Sequence, residues 1–159
     1  MPRTPPLHLR SLPERKPGFI EPMECLSVSK LPEGPECIYE IKLDGYRAMA
    51  VKASGRVALF SRHRKSFNRQ YPYLVEALAG LPDDTVVDGE VVALDGHGRP
   101  NFNLLQQFRA KASHIHYFIF DFLILEGRDL TILPLEKCRE IMNATLVLHS
   151  PRIRISEQK

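Results

Sequence analysis

An α+β domain built on antiparallel strands is the fold class this sequence predicts, and three observations predict it. Between positions 37 and 61 the short runs CIYEIK, YRAMAVKA and RVALFS are rich in β-branched and aromatic residues, and Asp44-Gly45 and Ser54-Gly55 separate them. That is the pattern of strands joined by tight turns. Two longer apolar runs follow at 85–94 and 116–125, the second almost continuously apolar, as a buried strand requires. Between and after them lie stretches with helical spacing and Pro or Gly punctuation, so helices packed on a sheet are expected.

Most of the thirteen prolines lie at or before Pro35, which keeps the start of the chain extended or flexible. Residues 1–17 therefore read as a Pro-rich lead and 18–159 as the folded domain. Strands are expected at 37–42, 46–53 and 56–61. Tyr71-Pro72 opens a helix that carries Leu74, Ala77 and Leu78, and Gly80 stops it. The strand at 85–94 ends at Asp95-Gly96. Leu104, Leu105 and Phe108 have helical spacing within 103–111, and the strand at 116–125 runs into a turn at Glu126-Gly127. A last helix is expected over 134–142, and 145–155 has room for two short strands.

Composition bounds the function. With 43% hydrophobic and 26% charged residues over 159 positions, the chain has the makings of one ordinary globular core. Its 22 basic and 19 acidic side chains leave a formal charge of only +3, so any polyanion site must be local. Arg62, Arg64 and Lys65 form one such cluster, which as a charge run alone reads as a solvated turn. Cys25, Cys37 and Cys138 are odd in number and lack C-x-x-C spacing, which argues against a zinc knuckle or disulfide framework and for a reducing, cytoplasmic setting. No run approaches a signal peptide or the ~20 apolar residues of a membrane span.

The chemistry concentrates in EIKLDGYR, residues 40–47, where a lysine, an acid and an arginine surround a turn glycine as K-x-D-G-x-R. Lys42 would stand at the end of the first strand, and alternation would put Glu40, Lys42 and Asp44 on one side. A lysine amine is a nucleophile only when neutral, so its ordinary pKa of about 10.4 must be lowered by desolvation or a nearby cation such as Arg47 or a metal. Taken alone, Lys42 reads as a surface lysine at a hairpin. VVDGEVV places Asp88 and Glu90 inside an apolar strand, where carboxylates need a partner, a metal or a hydroxyl. YFIFDFL places Asp121 among Phe118, Phe120 and other apolar residues. His114 and His116 would share a strand face but have no third ligand nearby, and read as edge histidines.

In this order the elements resemble the adenylation domain of ATP-dependent DNA ligases, most closely the ligase module of bacterial ligase D. The resemblance runs from about Pro17 to Ile155 and rests on FIEPMECLSVSKLPEGPECIYEIKLDGYR, LFSRHRKSFNRQYP, VVDGEVV and YFIFDFLILEGRDL. It implies the covalent nucleotidyltransferase (ATP-grasp-like) fold, with antiparallel sheets flanked by helices, and a part in DNA nick sealing, repair, recombination and non-homologous end joining. Lys42 would attack the α-phosphorus of ATP and carry AMP as a covalent adduct. Glu40 would accept from the adenine amino group, and Arg47 and Arg62 would bind phosphate or ribose oxygens. Glu90 would take a ribose hydroxyl or help hold Mg²⁺, and Phe120 would stack on adenine. Arg62, Arg64, Lys65, Arg69, Arg109 and Lys111 would contact the phosphates of nicked DNA. The long lead-in and the SRHRKSFN stretch favour DNA ligases over RNA ligases and capping enzymes, which share the lysine motif.

The family's later E-G-x-V and K-x-K strands and its oligonucleotide-binding barrel have no counterpart before Lys159. The expectation is thus a C-terminally incomplete domain that binds ATP and carries out the half-reaction at Lys42 at most. The alternatives are a non-catalytic nucleotide- or DNA-binding remnant and one half of a split ligase. An incomplete sheet would be covered by a second chain, by self-association or by the Pro-rich lead.

Overall fold

The computed structural model describes residues 9–107, 114–147 and 150–157. Strands β1 (Tyr46–Ala53) and β2 (Arg56–Ser61) form a hairpin in which Ser54 and Gly55 both take positive φ, 50° and 72°, the primed turn that follows the twist of paired strands. β3 (Thr85–Ala93) pairs antiparallel with β1, and β4 (Ile115–Leu125) with β3. Glu126 and Gly127, again at positive φ, return the chain into β5 (Arg128–Asp129). β6 (Ile153–Ile155) pairs with β4 in parallel. The sheet order is β2-β1-β3-β4-β5, with β6 beside β4.

The two faces of this sheet differ in chemistry. Helices α1 (Pro72–Leu78), α2 (Phe102–Gln106) and α3 (Leu135–Thr145) bring Leu74, Leu78, Leu105, Ile141 and Met142 onto one face. There they meet Ala48, Ala50, Val87, Val91, Tyr117, Ile119 and Phe122 in the main core. On the opposite face Met49, Val51, Val86 and Ile124 form a small cluster under Phe19 and Ile20. Strand alternation puts Arg47, Asp88 and Glu90 on this second face, beyond the end of its apolar cover.

Two glycines are demanded by packing. A Cβ on Gly89 would lie 2.3 Å from the Phe118 carbonyl oxygen and 2.7 Å from the Tyr117 ring, because Tyr117 passes beneath Gly89 to donate from its hydroxyl to the Ala48 carbonyl at 2.7 Å. A Cβ on Gly45 would lie 2.0 Å from the Val91 carbonyl oxygen. The glycines of K-x-D-G-x-R and D-G-E therefore bring backbone and ring into contact that a side chain would block.

The structure departs from the sequence reading in five places. The strand expected at 37–42 is not formed. Within it only Glu40 makes a bridge, since both edges of β1 are already taken by β2 and β3 and strand propensity without a continuous ladder yields no strand. The basis for placing Glu40, Lys42 and Asp44 on one strand side goes with it. Packed structure begins before residue 18: Leu9 is buried in a short 3-10 turn (Leu9–Ser11), and Pro13, Glu14 and Arg15 bond to Gly127, Arg128 and Asp129 along the β5 edge. The parallel β6 makes the sheet mixed, and 145–155 holds this one strand, because α3 runs on through Thr145. Finally, α2 stops at Gln106; Phe108, Arg109 and Lys111 lie outside the described residues. Among those described, no helix is long and apolar enough to cross a membrane.

Candidate active site

Arg47 organises the polar end of the second face. Its Nη2 donates to Asp88 Oδ2 at 2.7 Å, its Nε to Asp88 Oδ1 at 3.2 Å and its Nη1 to the Met23 carbonyl at 2.6 Å. The two-point grip on a carboxylate that is only 4% exposed is the fork geometry to which guanidinium is suited. The Arg47 guanidinium also stands over the Phe120 ring, 5.4 Å from its centre. Much of Arg47 is thus engaged in anchoring the strand pair and the incoming segment at Met23.

Around this pair the carboxylates are crowded. Burial pushes Glu90 up to about 7, Asp88 and Asp44 add to the rise, and Arg47 and the Gly45 backbone N–H oppose it. Asp121 stands opposite Asp88 across the β3–β4 ladder. Burial, then the charge of Asp88, pushes it up to about 6, and its Oδ1 is buried without a partner among the described residues. Arg47 is thus bordered by two carboxylates that hold their protons more tightly than in water, because burial disfavours their charged forms.

Lys42 is exposed, in a segment held on both sides. On the C-terminal side Gly45 lies against the Val91 backbone and the Glu90 side chain. On the N-terminal side Glu40 Oε1 pairs with Arg139 of α3, whose side chain is 7% exposed. Arg139 also donates from Nη1 to the Ser156 carbonyl at 3.1 Å, and burial holds its pKa below the usual arginine value. Lys42 itself makes no hydrogen bond or ion pair among the described residues.

The basic stretch 61–65 folds into a tight loop returning onto β2. Ser61 Oγ accepts from the backbone of His63 and Lys65, and Phe67 N–H donates to Leu59 at 2.7 Å. Arg62 is brought beside Arg47: the two line a cavity of 410 Å³ with Glu21, Glu24, Cys25 and His63. Arg64 turns to the Phe19 ring, and Lys65 and Arg69 are exposed on the loop and just after it.

The structure therefore brings Arg47, Glu90 and Phe120 onto one sheet face and Arg62 to its rim, with Lys42 on the anchored segment beside Glu90. Sequence reasoning missed the Arg47–Asp88 and Glu40–Arg139 pairs and the part of Cys25 and His63 in the cavity wall. The readable signal for Arg139 was an arginine between the apolar positions of an amphipathic helix, which needs a partner when buried. Among the described residues no three His, Cys, Asp or Glu side chains are grouped to hold a metal. Glu90 offers a single carboxylate, a fit for an ion such as Mg²⁺ that is held by one or two carboxylates plus phosphates and water.

The family profile described as "ATP dependent DNA ligase domain" matches residues 22–159. The multifunctional non-homologous end joining protein LigD of Pseudomonas aeruginosa is 39% identical over 133 residues, which cover 82% of this chain and 16% of that protein. The crystal structure of the ligase domain from M. tuberculosis LigD superposes with a TM-score of 0.64 at 30% identity, covering 76% of this chain and 40% of that one. Mycobacterial DNA ligase D complexed with ATP and MES matches with a TM-score of 0.62 at 29% identity, over 76% of this chain and 39% of that one. The α+β nucleotidyltransferase-like fold is common to the chain and these structures.

Proposed function

We infer the function from one premise: this chain belongs to the ATP-dependent DNA ligase domain family. It spans 16% of one relative it matches, 40% of another and 52% of a third, so what those whole proteins do is a proposal for this chain. The proposal is that the site binds ATP and transfers AMP to Lys42, as the first step of sealing a nick in duplex DNA.

The Lys42 amine, once deprotonated, attacks the α-phosphorus. A P–N bond forms, the bond from the α-phosphorus to the bridging oxygen breaks, and pyrophosphate leaves with its electron pair. Glu40 accepts from the adenine amino group and Phe120 offers its ring to the base. Arg62, with the donors of Arg47 not held by Asp88 and Met23, meets ribose or phosphate oxygens across the shared cavity. Glu90 accepts from a ribose hydroxyl or would hold Mg²⁺, which would supply neutralisation of phosphate charge. Arg62, Arg64, Lys65 and Arg69 form the described part of a DNA-phosphate surface; Arg109 and Lys111 complete the proposed set from outside the described residues. Binding through them would weaken with salt.

One observation carries this reading. Three stretches far apart in sequence, K-x-D-G-x-R, D-G-E and the aromatic strand, converge through the packing of Gly45 on Val91 and Glu90, the Arg47 grip on Asp88 and the stacking of Arg47 on Phe120. The test is incubation with ATP radiolabelled at the α-phosphate, with Mg²⁺. Label should survive denaturation of the protein, be absent with γ-labelled ATP, and be lost when pyrophosphate is added back. Label that pyrophosphate cannot remove would refute phosphoramide chemistry.

A further inference from the structure

Arg139 lies on α3, outside every stretch that carries the resemblance to a nucleotidyltransferase, yet its guanidinium reaches Glu40, two residues before the proposed nucleophile. It is buried, with its fork divided between the Glu40 carboxylate and the Ser156 carbonyl at 3.1 Å. Ser156 is itself fixed, since its backbone N–H donates to Ile119 at 2.8 Å and continues the β6–β4 pairing. A cation buried at a junction of helix, strand end and loop costs desolvation energy that a methionine of similar length would not. Its retention there calls for a task beyond filling space.

We propose that Arg139 is a positioning residue for purine recognition: it grips Glu40 Oε1, fixes the plane of that carboxylate, and so presents it in the orientation that accepts from an exocyclic amino group of the nucleotide base. This deepens the reading of the site given above and rests on it. A carboxylate has about four lone-pair positions, so one guanidinium on Oε1 fixes its direction without exhausting its capacity to accept.

The experiment compares ATP with purine riboside triphosphate, which lacks the 6-amino group, as donors for Lys42 adduct formation in wild type, Arg139→Met and Arg139→Lys. A hydrogen bond to a charged acceptor corresponds to a preference for ATP of roughly tenfold or more, and wild type is expected to show it. Arg139→Met should lose most of that preference, with the half-saturating ATP concentration rising by a similar factor and the saturated rate within about twofold, as uniform binding loss requires. Arg139→Lys should recover part of it. A parallel measurement without nucleotide, a urea double-mutant cycle of Arg139→Met and Glu40→Gln, should be non-additive.

An Arg139→Met protein that discriminates as wild type does, or a strictly additive cycle, overturns the role of Arg139 and leaves the reading of the site intact. A folded wild type that forms no adduct overturns that reading and the adenine role with it. If Arg139→Met does not fold, Arg139→Lys decides: full wild-type discrimination together with an unchanged half-saturating concentration counts against the proposal.

Discussion

Replacing Gly89 by alanine should destabilise the domain by about 2–4 kcal/mol, from overpacking of about 1–3 kcal/mol and one lost hydrogen bond of about 1 kcal/mol. The added Cβ would stand 2.3 Å from the Phe118 carbonyl oxygen and 2.7 Å from the Tyr117 ring. The carbonyl cannot retreat, because β4 is laddered to β3 on one side and β6 on the other. The ring must then yield, and with it the 2.7 Å bond from the Tyr117 hydroxyl to Ala48. Urea unfolding followed by circular dichroism would register this as a midpoint lower by about 1–2 M at unchanged slope, for a slope of about 2 kcal/mol/M. Gly96→Ala is the control, since a Cβ there meets nothing within 4 Å; its midpoint should stay level or rise slightly. A Gly89→Ala midpoint within about 0.2 M of wild type would refute the claim that Tyr117 packing dictates this glycine.

Other predictions follow from the same contacts. Arg47→Met leaves Asp88 buried without its partner and should cost about 3 kcal/mol in urea unfolding, of the size seen when one member of a buried pair is removed; loss below about 1 kcal/mol would mean that the pair is solvated. Asp121 has a raised folded pKa, about 6, so the native state holds its proton where the unfolded chain has released it. Stability from this group is fully present below pH ~4 and is lost as pH rises to ~6. Asp121→Asn should therefore be more stable than wild type at pH 7.5, by about 1–2 kcal/mol after allowance for partial exposure, and should show a flatter profile between pH 4 and 6; an unchanged profile would assign the slope elsewhere. Glu90→Gln should raise the Mg²⁺ concentration needed for half-maximal adduct formation, roughly tenfold or more for one lost carboxylate contact; an unchanged Mg²⁺ requirement would leave Glu90 to the ribose alone.

Local pattern was enough to read much of this architecture, and partner choice was where it failed. β1, β2, β3 and β4 and the helix after Tyr71-Pro72 were legible because alternation, β-branched content and turn dipeptides act over a few residues. The run at 37–42 has the same local character but shows only a single bridge at Glu40, and nothing within six residues encodes which strand edges are open to it. Docking of residues 12–15 along β5 was foreseen only as one of three ways to cover an open sheet edge, because prolines suit an extended chain and which edge it lies against is a tertiary matter. For the proposed site, Glu40, Lys42, Arg47, Arg62, Glu90 and Phe120 were named from the family resemblance of their motifs. The Arg47 grip on Asp88 and the Arg139 grip on Glu40 depend on which strands and helices meet. The second could be foreseen only as a need, since a buried arginine must have a partner.

The central claim is that Lys42 is the nucleophile of an adenylation site. Intact-mass spectrometry of the folded chain after incubation with ATP and Mg²⁺, followed by peptide mapping, tests it most directly. Wild type should gain one AMP, located on Lys42 and absent from the Lys42→Ala protein. A folded wild-type chain that gains no AMP, or an adduct that persists in Lys42→Ala, would contradict it.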